Sequence, residues 1–201
     1  MLEPGCLLKN KENLNMKYKK TAFLSAAVAL AALSGCSYMP THLTPQLPGQ
    51  QPVAKAMLEP RSGSQVSGKV SFTPVGDKLL VEAYVTGLTP GEHGFHVHEG
   101  GDCSGPDASG AKGHFNPTGM PHGHHHQMHH SKRHAGDLPN LVADSSGQAY
   151  YRAEVTWLKL DGSARGIVGR SVIVHADADD YQSQPAGNSG RRVACGVIKA
   201  P

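Results

Sequence analysis

The chain has 201 residues, enough for one domain of ordinary size plus tails. Its 24 glycines and 5% aromatic content favour short strands and many turns over a helical bundle. The net charge is a weak +3 with histidine neutral, so there is no broad basic character and nucleic acid is not expected as a partner.

Residues 1–15 are polar and unlike a targeting segment, and Met16 makes a better start, so this leader reads as a start-site misassignment. Residues 16–35 read as a signal peptide, with Lys17, Lys19 and Lys20 ahead of an apolar run from Phe23 to Leu33. That run is too short for an ordinary spanning helix. It ends in Leu33-Ser34-Gly35-Cys36, which resembles a bacterial lipobox and implies cleavage before Cys36 and lipid on that residue. The other reading is a plain secretory signal with an incidental cysteine. Either way the expected destination lies outside the cytoplasm, in the bacterial periplasm, with the lipid at Cys36 anchoring the protein to a cell-envelope membrane.

Residues 36–52 carry four prolines among polar residues and read as a flexible tether. The domain is expected over 53–201. Strands are predicted at Val66–Thr73 and Leu79–Val85, with a hairpin turn at Pro74-Val75-Gly76-Asp77 between them, and then at Glu92–Glu99. From Gly100 to Leu141 the periodicity breaks down, and a loop this long in a small domain is usually functional. Strands are predicted again at Gly147–Leu160, Ser171–His175 and Val193–Ile198, with a second polar loop at Asp177–Gly190. No helix with an apolar stripe is predicted. Short strands with polar connections point to a β-sandwich or barrel.

The chemistry concentrates in His96 and His98 of the segment Gly94-Phe95-His96-Val97-His98-Glu99. Strand side chains alternate, so these two rings share a face and can hold one ion. His114, His134, Asp137 and His175 follow. Imidazole suits copper and zinc, whereas magnesium and calcium prefer oxygen. A carboxylate three residues after His134 adds an oxygen donor that zinc accepts. The residue types argue for a copper or zinc site, or two.

Gly-Phe-His-Val-His-Glu at 94–99, Gly-His-Phe-Asn-Pro at 113–117, His-Ala-Gly-Asp-Leu at 134–138 and Gly-Arg-Arg-Val-Ala-Cys-Gly-Val-Ile at 190–198 occur together and in order. With them the chain resembles the copper–zinc superoxide dismutases, in their bacterial periplasmic lipoprotein form, from about Gly68 to Ile198. The resemblance implies an all-β, eight-stranded Greek-key β-barrel or sandwich, immunoglobulin-like, with two long functional loops. It implies copper on His96, His98, His114 and His175, and zinc on His114, His122, His134 and Asp137, with His114 bridging. His124 competes with His122. His125, His126, His129 and His130 extend a histidine tract that reads either as metal-recruiting or as a solvated loop.

The resemblance further places Asp179 between ligands of both metals and Arg192 beside the open copper position, with Arg191 as the nearest confusion. Cys103 and Cys195 remain after Cys6 of the doubtful leader and Cys36. An even pair in an oxidising compartment is expected to be bridged, as the resemblance also implies. The implied activity converts superoxide to oxygen and hydrogen peroxide, with Arg192 and His114 as the catalytic side chains. The rival reading is a non-catalytic copper or zinc buffer on the same scaffold. Monomer and homodimer both remain open.

Overall fold

Alternating apolar residues fix the register of the first hairpin. In a computed structural model, which describes residues 53–124 and 132–201, Val70 and Phe72 of β2 (Ser67–Val75) and Val81, Ala83 and Val85 of β3 (Lys78–Thr86) are buried. Lys69, Ser71, Glu82 and Tyr84 beside them are more exposed. The turn falls where expected: Val75 pairs with Lys78 across a two-residue Gly76-Asp77 loop. Before this hairpin comes β1 (Ala54–Pro60). After it come β4 (Gly91–His93), β5 (Phe95–His98), β6 (Leu141–Ala143), β7 (Ala149–Val155), β8 (Ser171–His175) and β9 (Arg192–Val197). A three-residue 3-10 turn lies at Ser109–Ala111.

Every strand pairing is antiparallel, in the order β4-β6-β7-β3-β2-β1-β9-β8-β5. The two end strands, β4 and β5, are consecutive in the chain and separated by Gly94 alone. The sheet therefore closes on itself into a nearly complete barrel. β1 makes the other corner: residues 54–58 pair with β2, and Glu59 and Pro60 pair with β9. If β4 and β5 are taken as one bent strand, eight remain, as the resemblance implies.

Gly94 is glycine for a packing reason. Its N–H donates to the Asp177 carbonyl at 2.9 Å and its carbonyl accepts from His175 N–H at 2.9 Å. A Cβ here would lie 2.7 Å from Ser189 Oγ. The break therefore seats β4–β5 against the second loop, and the single predicted strand at 92–99 becomes two.

Two other sequence expectations change. The strand predicted to reach Leu160 stops at Val155, because Trp157 turns away and its indole N–H donates to the Ala135 carbonyl at 3.0 Å. β6, at three residues, is too short to show a period and went unpredicted.

β5 and β8 are buried on both faces. Phe95, Val97, Val172 and Val174 enter the main core, which includes Phe72, Leu138, Leu141, Leu158, Ile167 and Ile198. Burying each large apolar side chain is worth about 1.5–3 kcal/mol. The opposite face presents His96, His98 and His175 beneath the long loops. On that face Ile173 packs with Ala108, Ala111, Cys195 and Cys103 in a separate small cluster. The Cys103–Cys195 disulfide is formed, with Cα atoms 5.7 Å apart, and ties the first loop to β9.

Candidate metal centre

β5 is the free edge of the barrel, and the first loop completes it. Val97 N–H donates to the Gly136 carbonyl at 3.0 Å, Phe115 N–H to the Val97 carbonyl at 2.8 Å and Gly136 N–H to the Phe115 carbonyl at 2.8 Å. His98 thereby stands opposite His114, and His96 opposite Asp137. His175 ends β8, one strand over, where the β8–β9 register shifts and His175 faces Arg192.

Two groups of metal-binding side chains result. His96, His98, His114 and His175 offer one nitrogen each within 4.8 Å of one another. His114, His122 and His134 offer one nitrogen each and Asp137 a carboxylate oxygen, again within 4.8 Å of one another, and His114 belongs to both groups. All seven residues are buried. The His114 ring centroid lies 4.0 Å from that of His96, 5.0 Å from that of His98 and 5.3 Å from those of His122 and His134.

In the first group each ring has one nitrogen anchored and one facing its neighbours. His96 Nε2 pairs with Asp179 Oδ2 at 2.7 Å, His98 Nδ1 with the Lys112 carbonyl at 2.9 Å, His114 Nδ1 with Asp137 Oδ1 at 2.8 Å and His175 Nδ1 with the Gly190 carbonyl at 3.2 Å. Each anchored nitrogen meets an acceptor and so carries the proton. The remaining nitrogens, His96 Nδ1, His98 Nε2, His114 Nε2 and His175 Nε2, are buried without a hydrogen-bond partner. Four converging lone pairs with no donor are costly in a protein interior. A copper ion resolves all four at once, so the donor set fits this metal. Burial, followed by the neighbouring rings, holds His98 and His175 well below the usual histidine range. Burial and His96 bring His114 down to about 4. These rings are neutral near pH 7, as ligands must be.

The second group is carboxylate-centred. His122 Nδ1 lies 3.0 Å from Asp137 Oδ2, off the hydrogen-bond direction, and its Nε2 lies 2.8 Å from Asp179 Oδ1. Asp137 Oδ1 is 3.3 Å from His134 Nδ1, and Asp137 Oδ2 accepts from His134 N–H at 2.9 Å. Burial works against charge on His122, but Asp137 and Asp179 outweigh it and raise its pKa to about 9. Burial likewise opposes the Asp137 carboxylate, yet the His114 hydrogen bond and the close approach of His122 and His134 hold it well below the usual range. Three nitrogens and one carboxylate oxygen make the four-ligand set that zinc takes.

His122, not His124, joins this group. The His124 ring lies 4.3 Å from that of Tyr181. Asp179 touches His96 of one group and His122 of the other. Arg192 reaches back from β9 to the first loop, donating to the Ala108 and Lys112 carbonyls, each at 2.5 Å. The Lys112 carbonyl also holds His98, so Arg192 sits beside the first group. Arg191 turns to the Ser62 carbonyl instead. Cys36, the leader, the signal segment, the tether to 52 and His125, His126, His129 and His130 lie outside the described residues.

Sequence reasoning missed several supporting residues. Asn140 grips the Asp179 backbone at both ends, donating to its carbonyl and accepting from its N–H, each at 3.0 Å. His93 lies buried between the His175 and Thr89 carbonyls, at 2.9 and 2.8 Å. None of these positions carried a motif or a period that singled it out.

Comparison with known proteins agrees with this geometry. Residues 66–198 match the family described as copper/zinc superoxide dismutase (SODC). The chain is 40% identical over 163 residues to a Deinococcus radiodurans protein named superoxide dismutase [Cu-Zn], covering 75% of this chain and 86% of that one. An Aquifex aeolicus protein named superoxide dismutase [Cu-Zn] 2 is 36% identical over 140 residues, covering 67% and 80%. A crystal structure of the clock protein EA4 superposes with a TM-score of 0.66 at 40% identity, covering 75% of this chain and 96% of that one. The chain belongs to the copper/zinc superoxide dismutase family.

Proposed function

We propose a division of labour among the clustered side chains of this superoxide dismutase, an oxidoreductase that turns two superoxide ions and two protons into oxygen and hydrogen peroxide using copper and zinc. His96, His98, His114 and His175 hold copper. His114, His122, His134 and Asp137 hold zinc. Bound copper supplies the one-electron redox chemistry, and zinc, which has no redox chemistry of its own, supplies a fixed positive charge.

The protein's own residues do the rest. His114 offers Nε2 to one group and Nδ1 to the other, so it can bridge, and Nε2 is where it can take up and return a proton. Arg192 keeps its charge at any working pH and can attract and orient a small anion beside His175 and His98. Asp179 fixes the tautomers of His96 and His122 and joins the two sites. The single observation that carries this reading is the shared His114 between two buried four-residue groups. Arg192 weighs against the metal-buffer reading, since storage requires no anion guide. Metal analysis of purified protein alongside superoxide disappearance tests it: one copper and one zinc per chain with activity supports it, and metal without activity supports the buffer.

We also infer export to the bacterial periplasm and lipid anchoring at Cys36, from the basic and apolar segments before Leu33-Ser34-Gly35-Cys36. Mass spectrometry of the mature N-terminus tests this, with an unmodified terminus away from Cys36 refuting it.

A further inference from the structure

Loop 177–190 holds His122 by its ring and by its backbone. The ring meets Asp179 Oδ1 at 2.8 Å. Gln184 takes the backbone: its Oε1 accepts from His122 N–H at 2.8 Å, and its Nε2 donates to the His122 carbonyl at 2.9 Å. A carboxamide carries an acceptor and a donor side by side and so matches both halves of a residue's backbone. The loop is shaped to present it. Asp180 Oδ1 accepts from the N–H groups of Gln182 and Ser183 at 2.9 and 2.8 Å, and Gln184 Nε2 also reaches the Gln182 carbonyl at 3.2 Å. Gly187, at φ 64°, leaves room where a side chain would collide with the Asp179 and His122 side chains. His122 itself lies outside any strand, between Pro121 and Gly123, so the barrel does not place it directly.

We propose that Gln184 is a positioning residue for zinc. It pins the backbone of His122, so zinc retention depends on the closure of a loop that contributes no zinc ligand. This rests on the reading of His122 as a zinc ligand. Gln184→Met keeps the side-chain length and removes both hydrogen bonds. Competition with a chelator should show zinc bound roughly ten-fold more weakly in this variant, the lower end of what outer partners of a metal ligand contribute. Copper affinity should be unchanged. Cobalt placed in the zinc site should show altered visible bands, and Gln182→Ala, an exposed neighbour in the same loop, should match the parent in every measurement.

Parental zinc affinity and an unchanged cobalt spectrum in Gln184→Met overturn the proposal. So does a fall in both metals that follows a lower melting temperature of the metal-free protein, which marks a merely structural role. His122→Gln separates the two readings. If it loses zinc while Gln184→Met does not, this inference alone fails; if it retains zinc, the ligand reading fails too. Amide exchange on the unaltered metal-loaded protein needs no variant: the His122 amide should be protected, and exchange at the rate of an exposed amide refutes the clamp.

Discussion

The two halves of the metal centre are built by different means. His96, His98 and His175 stand on β5 and β8, whose other faces pack into the main core through Phe95, Val97, Val172 and Val174. Close packing fixes those backbones, so three of the four copper-side rings are as rigid as the barrel. His122, His134 and Asp137 lie in the long loop and are held by side chains: Asp179, Gln184 and the mutual contacts of Asp137. The first half has free lone pairs, and its His98 and His175 rings are neutral near pH 7. The second half has charge, with Asp137 satisfying its histidines in part before any metal arrives. The strand-built site is thus preformed, and the loop-built site is coupled to loop closure.

The contrast can be broken most severely on the strand side. His96→Ala or His175→Ala should remove nearly all activity, because each takes a nitrogen from the redox ion, while the barrel and disulfide remain. Circular dichroism and metal analysis beside the activity assay check this; near-full activity with copper retained would reject the copper assignment. On the loop side, Asp137→Ala should lower zinc content more than copper content, since its oxygens contact His114, His122, His134 and the Gly123 N–H, and of these His114 alone belongs to the copper group. Its loss also leaves His122 with one carboxylate instead of two. Metal analysis after dialysis at limiting zinc decides it, and copper lost first would mean that the two sites are wrongly divided.

A third test joins the halves to Arg192, the proposed anion guide. Cys195 lies three residues beyond Arg192, whose guanidinium hydrogen-bonds the loop that holds Cys103. Reduction should destabilise the fold by roughly 4–5 kcal/mol on the chain-entropy view. It should also lower activity with both metals bound, as Arg192 loses its fixed position. Activity unchanged after complete reduction, confirmed by thiol counting, would separate Arg192 from the disulfide.

The same contrast explains what the sequence revealed. His96 and His98 were legible from a strand's period of two, and His175 from the apolar run before it. Barrel closure was reached through the resemblance, since the break at Gly94 that makes β4 and β5 its two ends leaves no period in the sequence. His122, Asp179 and Arg192 were reached through motif resemblance, since loop ligands follow no period. The geometry now distinguishes His122 from His124 and Arg192 from Arg191 by what each touches. Asn140 and Gln184 left no trace in the sequence: an amide that binds backbone looks like any other polar loop residue.

The smallest expected effect is also the finest probe of the comparison. His122, raised to about 9 by Asp137 and Asp179 against the opposing effect of burial, carries a proton at pH 7 when no metal is bound. A ligand nitrogen must be free, so zinc has to displace that proton. His98 and His175, held well below the usual range by burial and neighbouring rings, are already neutral at pH 7, as is His114. The sign follows. Zinc binding to the metal-free protein should release about one proton near pH 7, and its affinity should rise with pH up to about 9, by as much as roughly ten-fold per unit. Copper binding should release almost none from His98 and His175, and should be nearly flat over the same interval. Calorimetry in buffers of different ionisation enthalpy reads the proton count directly. Equal proton release by the two metals would mean that the loop carboxylates do not charge His122, and the electrostatic difference between the two halves would disappear.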